Sequence, residues 1–221
     1  MSKMTKNRKI DVTWNLLNKK HNILDTIKEK GYFIISAKKI GEFQEARLAV
    51  KFDYSDARPE LFVKNNLSIL PITRGDYYIS HINAYHNFES DTSKITYLTP
   101  PEHIKSLDVT SINSESKALN MAYISGILAD FLDDENLLPT VSGRMSSESF
   151  AFYANVVGEA VTDEDSAVTV ENSQIEIDAA YEGVKSLALM EAKRDLTDNF
   201  LIRQLYYPFR TWHQKMAKKP V

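Results

Sequence analysis

Apolar residues recur at roughly helical spacing near the start of the chain, and shorter apolar runs follow. The recurring positions are Trp14, Leu17, Ile23, Leu24 and Ile27. This spacing predicts a helix over residues 12–30, which Gly31 would end. The apolar run YFIIS at residues 32–36 predicts a strand directly after that helix.

Two further apolar runs flank a short polar segment. LSILPI at residues 67–72 and DYYISHI at residues 76–82 lie on either side of Thr73-Arg74-Gly75. Strand-forming runs separated by such a segment are typical of a β-hairpin. Residues 89–116 are rich in Ser, Thr, Asp and Pro, so we interpret this stretch as a linker.

The second half of the chain predicts the order helix, strand, strand, strand, helix. In chain order we expect a helix over 117–132 capped by Ser116, a strand around Phe150 and Phe152, an extended segment over 168–181, a strand over 186–193, and a helix from Asp198 to Arg210. We therefore expect two domains, a smaller N-terminal α+β region over 1–112 and a core domain over 113–221.

The composition is that of a globular protein. The chain has 221 residues, of which 43% are hydrophobic and 26% are charged. It contains no cysteine, which excludes disulfides, a cysteine nucleophile and cysteine-based zinc sites. No apolar run approaches the length of about 18 residues that a transmembrane helix needs. These features lead us to expect a cytoplasmic protein.

Charge is distributed unevenly along the chain. Residues 1–110 hold 17 Lys and Arg against 13 Asp and Glu, whereas residues 111–221 hold 10 against 17. The basic N-terminal region could contact phosphate. The alternative is a solvated helix face with a frayed basic end, and the sequence leaves both interpretations open.

The segment LALMEAKRD at residues 187–195 carries the strongest indication of chemistry. Alternation in a strand turns Glu191 and Lys193 to the same side, after an apolar run that indicates burial. A turn at 182–185 would bring Asp178 on the preceding strand beside Glu191. Two carboxylates with a lysine suit Mg²⁺, although a Glu-x-Lys pair at a strand end is also commonly a solvated salt bridge.

The pattern IEID followed by EAK and then a helix resembles the PD-(D/E)XK nuclease superfamily. Ile177 stands where the proline of the family name would be, and Gln204 matches a glutamine of the following helix. The resemblance implies a restriction-endonuclease-like αβββα core of mixed α/β (α+β) class. It further implies Mg²⁺ held by Asp178, Glu191 and the backbone carbonyl of Ala192, and assigns the catalytic residues Asp178, Glu191, Lys193 and Gln204.

Longer phrases narrow the resemblance to type II restriction endonucleases. These phrases are RLAVKFD, LSILPITRGDYYI, SGRMSSESFAF and QLYYPFRTW. They imply cutting of double-stranded DNA at a specific short sequence, a homodimer, and a cognate DNA methyltransferase in the same system. The superfamily core normally has a further strand after its second helix, so we expect a core truncated before its last strand.

Three other functions fit the same residues. The chain could be a structure-specific nuclease of repair or recombination. It could be a catalytically inactive, truncated DNA-binding remnant, if the absent strand is essential. It could also be a protein-interaction domain in which Glu191 and Lys193 are incidental.

Several further residues are candidates for a role at such a site. Glu176 shares a strand face with Asp178 and is either a second ligand or a surface carboxylate. A glutamate from the helix before the first core strand is common in the superfamily, and both Glu115 and Glu148 are candidates. The residues that could contact DNA are Arg74, Arg144, Arg203, Tyr207 and Arg210.

Overall fold

The computed structural model describes residues 8–88, 95, 97–154, 167–194, 197–216 and 219–221. The helices are α1 (Lys9–His21), α2 (Ile23–Lys30), α3 (Ala37–Gly41), α4 (Ala46–Ala49), α5 (Glu60–Lys64), α6 (Glu115–Ile124), α7 (Ile127–Leu132) and α8 (Arg203–Lys215). The strands are β1 (Tyr32–Ser36), β2 (Ser68–Pro71), β3 (Asp76–Ser80), β4 (Tyr85–Asn87), β5 (Leu138–Ser146), β6 (Ser149–Phe152), β7 (Val168–Glu171), β8 (Gln174–Glu182), β9 (Leu187–Met190) and β10 (Asn199–Leu201).

The chain forms two compact units, and each is assembled from separate segments. Unit 1 comprises Met1–Asn87, Ser146–Gln174 and Asp198–Arg203. Unit 2 comprises Phe88–Met145, Ile175–Thr197 and Gln204–Val221. The units therefore do not follow a single boundary at 112/113, because two later segments of the chain belong to unit 1.

The first helix of unit 1 is broken where the sequence predicted one continuous helix over 12–30. Asn22 adopts a left-handed backbone with φ of 51°, and its N–H donates to the Asn18 carbonyl at 2.8 Å. The chain therefore turns between α1 and α2. Gly31 ends α2 with φ of 81°, as predicted, because glycine adopts this conformation at little cost.

The predicted hairpin is confirmed in unit 1. β2 pairs with β3 and β3 pairs with β1, both antiparallel, which gives the order β1-β3-β2. The side-chain oxygen of Thr73 accepts hydrogen bonds from the N–H groups of Gly75 at 3.1 Å and Asp76 at 2.9 Å. This local bonding fixes the turn that carries Arg74.

The core of unit 1 lies between this sheet and the surrounding helices. Its centre is the fully buried Trp14, whose ring meets that of Phe62 edge-on at a centroid distance of 4.6 Å. The Trp14 indole N–H donates to the Ala49 carbonyl at 2.8 Å, so its one polar group is satisfied. Ile35 and Ile79 pack into the same core from β1 and β3.

The strand around Phe150 and Phe152 exists but does not join the predicted core sheet. Among the described strands β6 pairs with β7 alone, and both belong to unit 1. Asn172, with φ of 52°, separates β7 from β8 where the sequence predicted a single extended segment over 168–181. The prediction was wrong here because alternation identifies a strand without identifying its partner.

The predicted helix from Asp198 begins later than expected. Residues Asn199–Leu201 form β10, which pairs with β4 in unit 1. The Asn199 side-chain oxygen accepts from the Ser55 N–H at 2.8 Å, and the Leu201 N–H donates to the Asp53 carbonyl at 3.0 Å. These non-local bonds hold the segment extended, so α8 starts only at Arg203.

Unit 2 begins with two helices where one was predicted over 117–132. Ser114, not Ser116, caps α6 by accepting from the Lys117 N–H at 3.2 Å. Gly126, with φ of 76°, separates α6 from α7. None of the described helices of the chain is both long and apolar enough to cross a membrane.

Three strands form the sheet of unit 2 in the order β5-β8-β9. β5 is the strand that the sequence analysis missed, since Pro139 and Gly143 lie within it and most of its residues are exposed. Proline is tolerated in an edge strand, which is the position that β5 occupies. Arg144 therefore lies in a strand and not in a loop. The β8–β9 hairpin is confirmed, with Glu182 opposite Leu187.

The last described residues lie against the outer strand of this sheet. The Leu187 N–H of β9 donates to the Pro220 carbonyl at 2.9 Å. The Lys219 ammonium contacts the Glu182 carboxylate at 2.7 Å, and Val221 packs against the cluster that contains Ile177. Residues 219–221 thus contact the β8–β9 hairpin, with one hydrogen bond to β9, without forming a strand.

The mixed α+β class predicted from the sequence is confirmed. Unit 2 has the predicted order of helix, three strands and helix, with β5 in place of the strand around Phe150. The pairings β1–β3, β2–β3, β4–β10, β6–β7 and β8–β9 are all antiparallel. The assignment to a restriction-endonuclease-like core stays a prediction.

Candidate functional site

Asp178 and Glu191 lie side by side at one end of the β8–β9 hairpin in unit 2. Ala179 is the register partner of Met190, so the next position along each chain is Asp178 on one side and Glu191 on the other. The Ala192 N–H donates a 2.8 Å hydrogen bond to Oδ2 of Asp178. This bond extends the contact between the two chains beyond the last residue of β9 and fixes the Asp178 carboxylate.

Burial along β8 alternates between the two faces of the strand as far as Asp178. Ile175 and Ile177 are each 2% exposed and point into the core of the unit. Glu176 points to the opposite face and is exposed. Asp178 shares the face of Glu176 but is half-buried, so it occupies the transition between the solvated and the packed part of the strand.

Glu191 receives two donors on the same oxygen atom. The Lys193 ammonium forms an ion pair with Oε1 of Glu191, and the Gln204 side-chain amide donates to that oxygen at 2.7 Å. The Glu191 side chain is 11% exposed and that of Lys193 is 27% exposed. Gln204 lies in the first turn of α8, so this helix supplies the second donor.

The acidity of Glu191 is strongly altered by its surroundings. Burial raises the pKa of Glu191 to about 7, and the nearby charges of Asp178 and Glu115 act in the same direction. The Lys193 ammonium opposes this rise. A carboxyl with a pKa near neutrality in a polar cluster is a common property of functional sites.

The influence of Glu115 distinguishes the two glutamates that the sequence left open. Glu115 lies in the first turn of α6, in unit 2, and is close enough for its charge to raise the pKa of Glu191. Glu148 belongs to unit 1, where it adopts a left-handed backbone with φ of 57° before β6. Glu115 is therefore the helix carboxylate that accompanies the cluster.

The oxygen atoms of this cluster form a donor set that fits a hard divalent cation. Asp178 and Glu191 supply carboxylates, and Oε1 of Gln204 is buried without a hydrogen-bond partner among the described residues. Mg²⁺ is typically held by one or two carboxylates and completes its coordination with water. Within the described ranges no group of three or more His, Asp and Glu is arranged to hold a metal ion.

Asp134 supports the turn of the β8–β9 hairpin in a way that the sequence analysis missed. It is 7% exposed and accepts backbone N–H bonds from Lys185 at 3.1 Å and Asn136 at 3.0 Å, which lower the pKa of its carboxyl. It thereby holds the turn that joins β8 to β9. An aspartate two residues before a loop asparagine is typical of such side-chain-to-backbone turns and could have indicated this role.

Two of the predicted DNA contacts are exposed arginines. Arg74 lies at the tip of the β2–β3 hairpin in unit 1. Arg144 on β5 forms an exposed ion pair with Glu176 at 3.2 Å. This ion pair places Glu176 on the surface of unit 2, paired with an arginine.

The predicted contacts on α8 require one correction. Tyr207 is 1% exposed, so it belongs to the packed interior and is not available to DNA. The helical spacing of Arg203, Tyr207 and Arg210 did not reveal which face packs inward. Arg203 is half-buried, and Arg210 donates to the Tyr206 hydroxyl at 2.9 Å.

Two families match consecutive parts of the chain. The family described as "Domain of unknown function (DUF6997)" matches residues 80–221, and "Domain of unknown function (DUF6996)" matches residues 11–79. The candidate site lies wholly within the part matched by DUF6997. No curated protein and no solved structure matches the chain.

Proposed function

We propose that this chain, which belongs to the DUF6997 family, is a Mg²⁺-dependent nuclease that hydrolyses phosphodiester bonds of DNA. The observation that supports this function is the meeting of Asp178 and Glu191 with Lys193 and Gln204 in unit 2. Two adjacent carboxylates with a lysine are suited to a divalent cation and a negatively charged substrate.

Each residue of the site has a distinct role in this proposal. Asp178 and Glu191 would hold the cation, together with the Ala192 carbonyl that the superfamily resemblance implies. When bound, the cation supplies charge stabilisation at the phosphate and a more acidic water. Gln204 orients the Glu191 carboxylate through its 2.7 Å hydrogen bond.

Lys193 provides the positive charge that phosphodiester hydrolysis requires. The oxygen of a water molecule loses one proton to solvent and bonds to phosphorus, the bond from phosphorus to the leaving oxygen breaks, and the leaving oxygen takes up a proton from solvent. The Lys193 ammonium is held beside Glu191 by their ion pair, where it can donate hydrogen bonds to the attacking water or to a phosphate oxygen. The ion pair thus keeps Lys193 at the carboxylates.

The finer proposal is a type II restriction endonuclease that cuts double-stranded DNA at a short sequence. It rests on the phrases that resemble such enzymes and on the excess of basic residues in the first half of the chain. Arg74 at the hairpin tip is suited to contact a base edge or phosphate. Cutting both strands requires two sites, so the proposal includes a homodimer. It also includes a cognate DNA methyltransferase, which would protect host DNA from cleavage.

The test is cleavage of mixed phage and plasmid DNA with Mg²⁺, with EDTA as one control. Asp178→Asn removes a carboxylate from the site with little change in volume. Glu176→Gln is the matched control, because Glu176 lies two residues earlier on the same face of β8 and is exposed.

We expect the unmodified chain and Glu176→Gln to cut the DNA into discrete fragments. We expect no fragments from Asp178→Asn or in the presence of EDTA. Preference for branched or flapped DNA would instead favour a repair or recombination nuclease. DNA binding without cutting under any condition would favour the inactive remnant and refute the proposed activity.

A further inference from the structure

An aromatic pair, in which Tyr32 is exposed and Tyr78 is half-buried, lies on the outer face of the sheet in unit 1. The rings of Tyr32 on β1 and Tyr78 on β3 stack with a centroid distance of 5.1 Å and an interplanar angle of 15°. The opposite face of the same strands is packed, since Ile35 and Ile79 are fully buried. The two tyrosines therefore belong to the face that does not contribute to the core.

The outer face is open over one part of the sheet only. Over β2 it is covered, because Leu70 is 4% exposed. Over β1, which is the edge strand, Tyr32 is 40% exposed and Ile34 is 45% exposed.

Basic residues flank β1 on both sides in the sequence. Lys28 and Lys30 precede Tyr32 in the chain. At the other end the Ala37 N–H donates to the Gly75 carbonyl at 2.7 Å, which joins the start of α3 to the hairpin tip. That junction brings Lys38 and Lys39 into the neighbourhood of Arg74.

These cations are available to a ligand. Lys28, Lys30, Lys38, Lys39 and Arg74 are all exposed, and within the described part of the chain none of them forms a salt bridge. Other basic residues of unit 1 are neutralised by nearby carboxylates, as Lys64 is by Glu60 at 2.7 Å. The open strip over β1 therefore combines a partly exposed aromatic stack with exposed cations that form no salt bridge among the described residues.

One acidic residue shares the face of the stack. Asp76 lies two residues before Tyr78, and its carboxylate accepts a 2.9 Å hydrogen bond from the Thr73 hydroxyl. A carboxylate at this place can accept a hydrogen bond from the exocyclic amino group of a base, as acidic side chains do for cytosine.

We propose that this face of unit 1, defined by Tyr32, Ile34 and Tyr78, binds single-stranded nucleic acid. Unpaired bases stack on the Tyr32–Tyr78 pair, and the phosphates contact the flanking lysines and Arg74. Stacking platforms bordered by cations bind single strands in this way with little sequence preference. The inference goes beyond the proposed nuclease activity, since the residues belong to a different unit and binding requires no cleavage.

The test is fluorescence anisotropy on the full chain with labelled strands of about 15 nucleotides, a length that covers one typical binding site. Oligo-dT, oligo-U and a duplex of the same length are compared in EDTA, so that no metal-dependent cutting interferes. We expect binding of single strands, with DNA and RNA distinguished by the two probes. Tyr32→Ala should weaken this binding about tenfold or more.

The control is Tyr54→Ala, because Tyr54 is 42% exposed in the same unit and lies outside the strip. The slope of the logarithm of the binding constant against the logarithm of the salt concentration should become shallower by about 0.7 for each lost phosphate contact in the double variant Lys38→Gln/Lys39→Gln. Lys19→Gln is the control and should leave this slope unchanged. The inference is overturned if the chain does not bind single strands or binds only the duplex. It is also overturned if Tyr32→Ala and Tyr54→Ala lower the affinity for single strands equally. If the unmodified chain binds single strands but does not cleave DNA with Mg²⁺, only the nuclease proposal is refuted.

Discussion

The side-chain amide of Gln204 donates a 2.7 Å hydrogen bond to Oε1 of Glu191, the same oxygen that receives the Lys193 ammonium. One carboxylate oxygen thus joins the first turn of α8 to the segment that follows β9. The other polar atom of the amide, Oε1 of Gln204, is buried without a partner in the described ranges. Gln204 therefore both orients Glu191 and retains an unused acceptor.

Replacement of Gln204 by leucine should impair the site without unfolding unit 2. Hydrogen bonds that orient the side chain of a metal ligand typically contribute about 10- to 100-fold to metal affinity or activity. We expect Gln204→Leu to slow DNA cleavage by about that factor and to raise the Mg²⁺ concentration needed for half-maximal activity. Cleavage assays across a Mg²⁺ series would measure both effects.

The matched control for this substitution is Gln214→Leu, an exposed glutamine on the same helix. Its cleavage rate should remain close to that of the unmodified chain. An unchanged Mg²⁺ requirement in Gln204→Leu, at normal thermal stability, would show that the amide does not support the carboxylate.

The response of stability to Mg²⁺ should depend on pH. Burial raises the pKa of Glu191 to about 7 from an ordinary value near 4.5. Below about pH 4.5 the carboxyl is neutral in both the folded and the unfolded chain. As the pH rises toward 7 it ionises in the unfolded chain first, so its contribution to folding becomes less favourable.

Cation binding requires the ionised carboxylate and is therefore favoured above pH 7. We expect Mg²⁺ to raise the melting temperature more at about pH 8 than at about pH 6, because apparent affinity falls by up to tenfold per unit below the pKa. Thermal unfolding with and without Mg²⁺ measures the shift. Glu191→Gln should abolish the difference between the two pH values, and an equal shift at both in the unmodified chain would contradict the assignment.

Local patterns predicted the parts of the fold that are held by local contacts. The hairpin around Thr73-Arg74-Gly75 and the β8–β9 hairpin both join neighbouring segments, so a turn and two apolar runs identify them. The adjacency of Asp178 and Glu191 follows from the second hairpin. These parts of the candidate site were therefore accessible from the sequence.

The errors arose where the structure depends on distant partners or on single backbone conformations. β5 was missed because its residues are mostly exposed, and its strand character comes from pairing with β8 about 35 residues later. Asn22 and Gly126 break helices through left-handed backbones, while the apolar spacing continues on both sides. Periodicity cannot detect either effect.

Substitution of Gly183 should destabilise the hairpin that carries the site. A Cβ atom at Gly183 would lie 2.3 Å from Oδ2 of Asp134 and 2.9 Å from Cδ2 of Leu137. Asp134 is buried and bonded to the Lys185 N–H, so it cannot move without losing that bond. We expect Gly183→Ala to cost about 1–3 kcal/mol of unfolding free energy.

Chemical denaturation would measure this cost, and Gly41→Ala is the control because a Cβ there meets no atom within 4 Å. Under the proposed function, Gly183→Ala should also slow cleavage, since β8 and β9 position Asp178 and Glu191. Equal unfolding free energies for the two alanine variants would show that the Asp134 contact can be relieved without cost.

The segment along β9 should stabilise unit 2 in two separable steps. Lys219→Met removes the half-exposed ion pair with Glu182, which is 2.7 Å long, and should cost up to about 1 kcal/mol. Ending the chain before Lys219 also removes the Pro220 carbonyl that accepts from Leu187 and the packing of Val221, so it should cost about 2–4 kcal/mol. Denaturant unfolding of both variants, beside the exposed control Lys105→Met, measures the steps. A shortened chain as stable as the control would mean that the sheet does not depend on these residues.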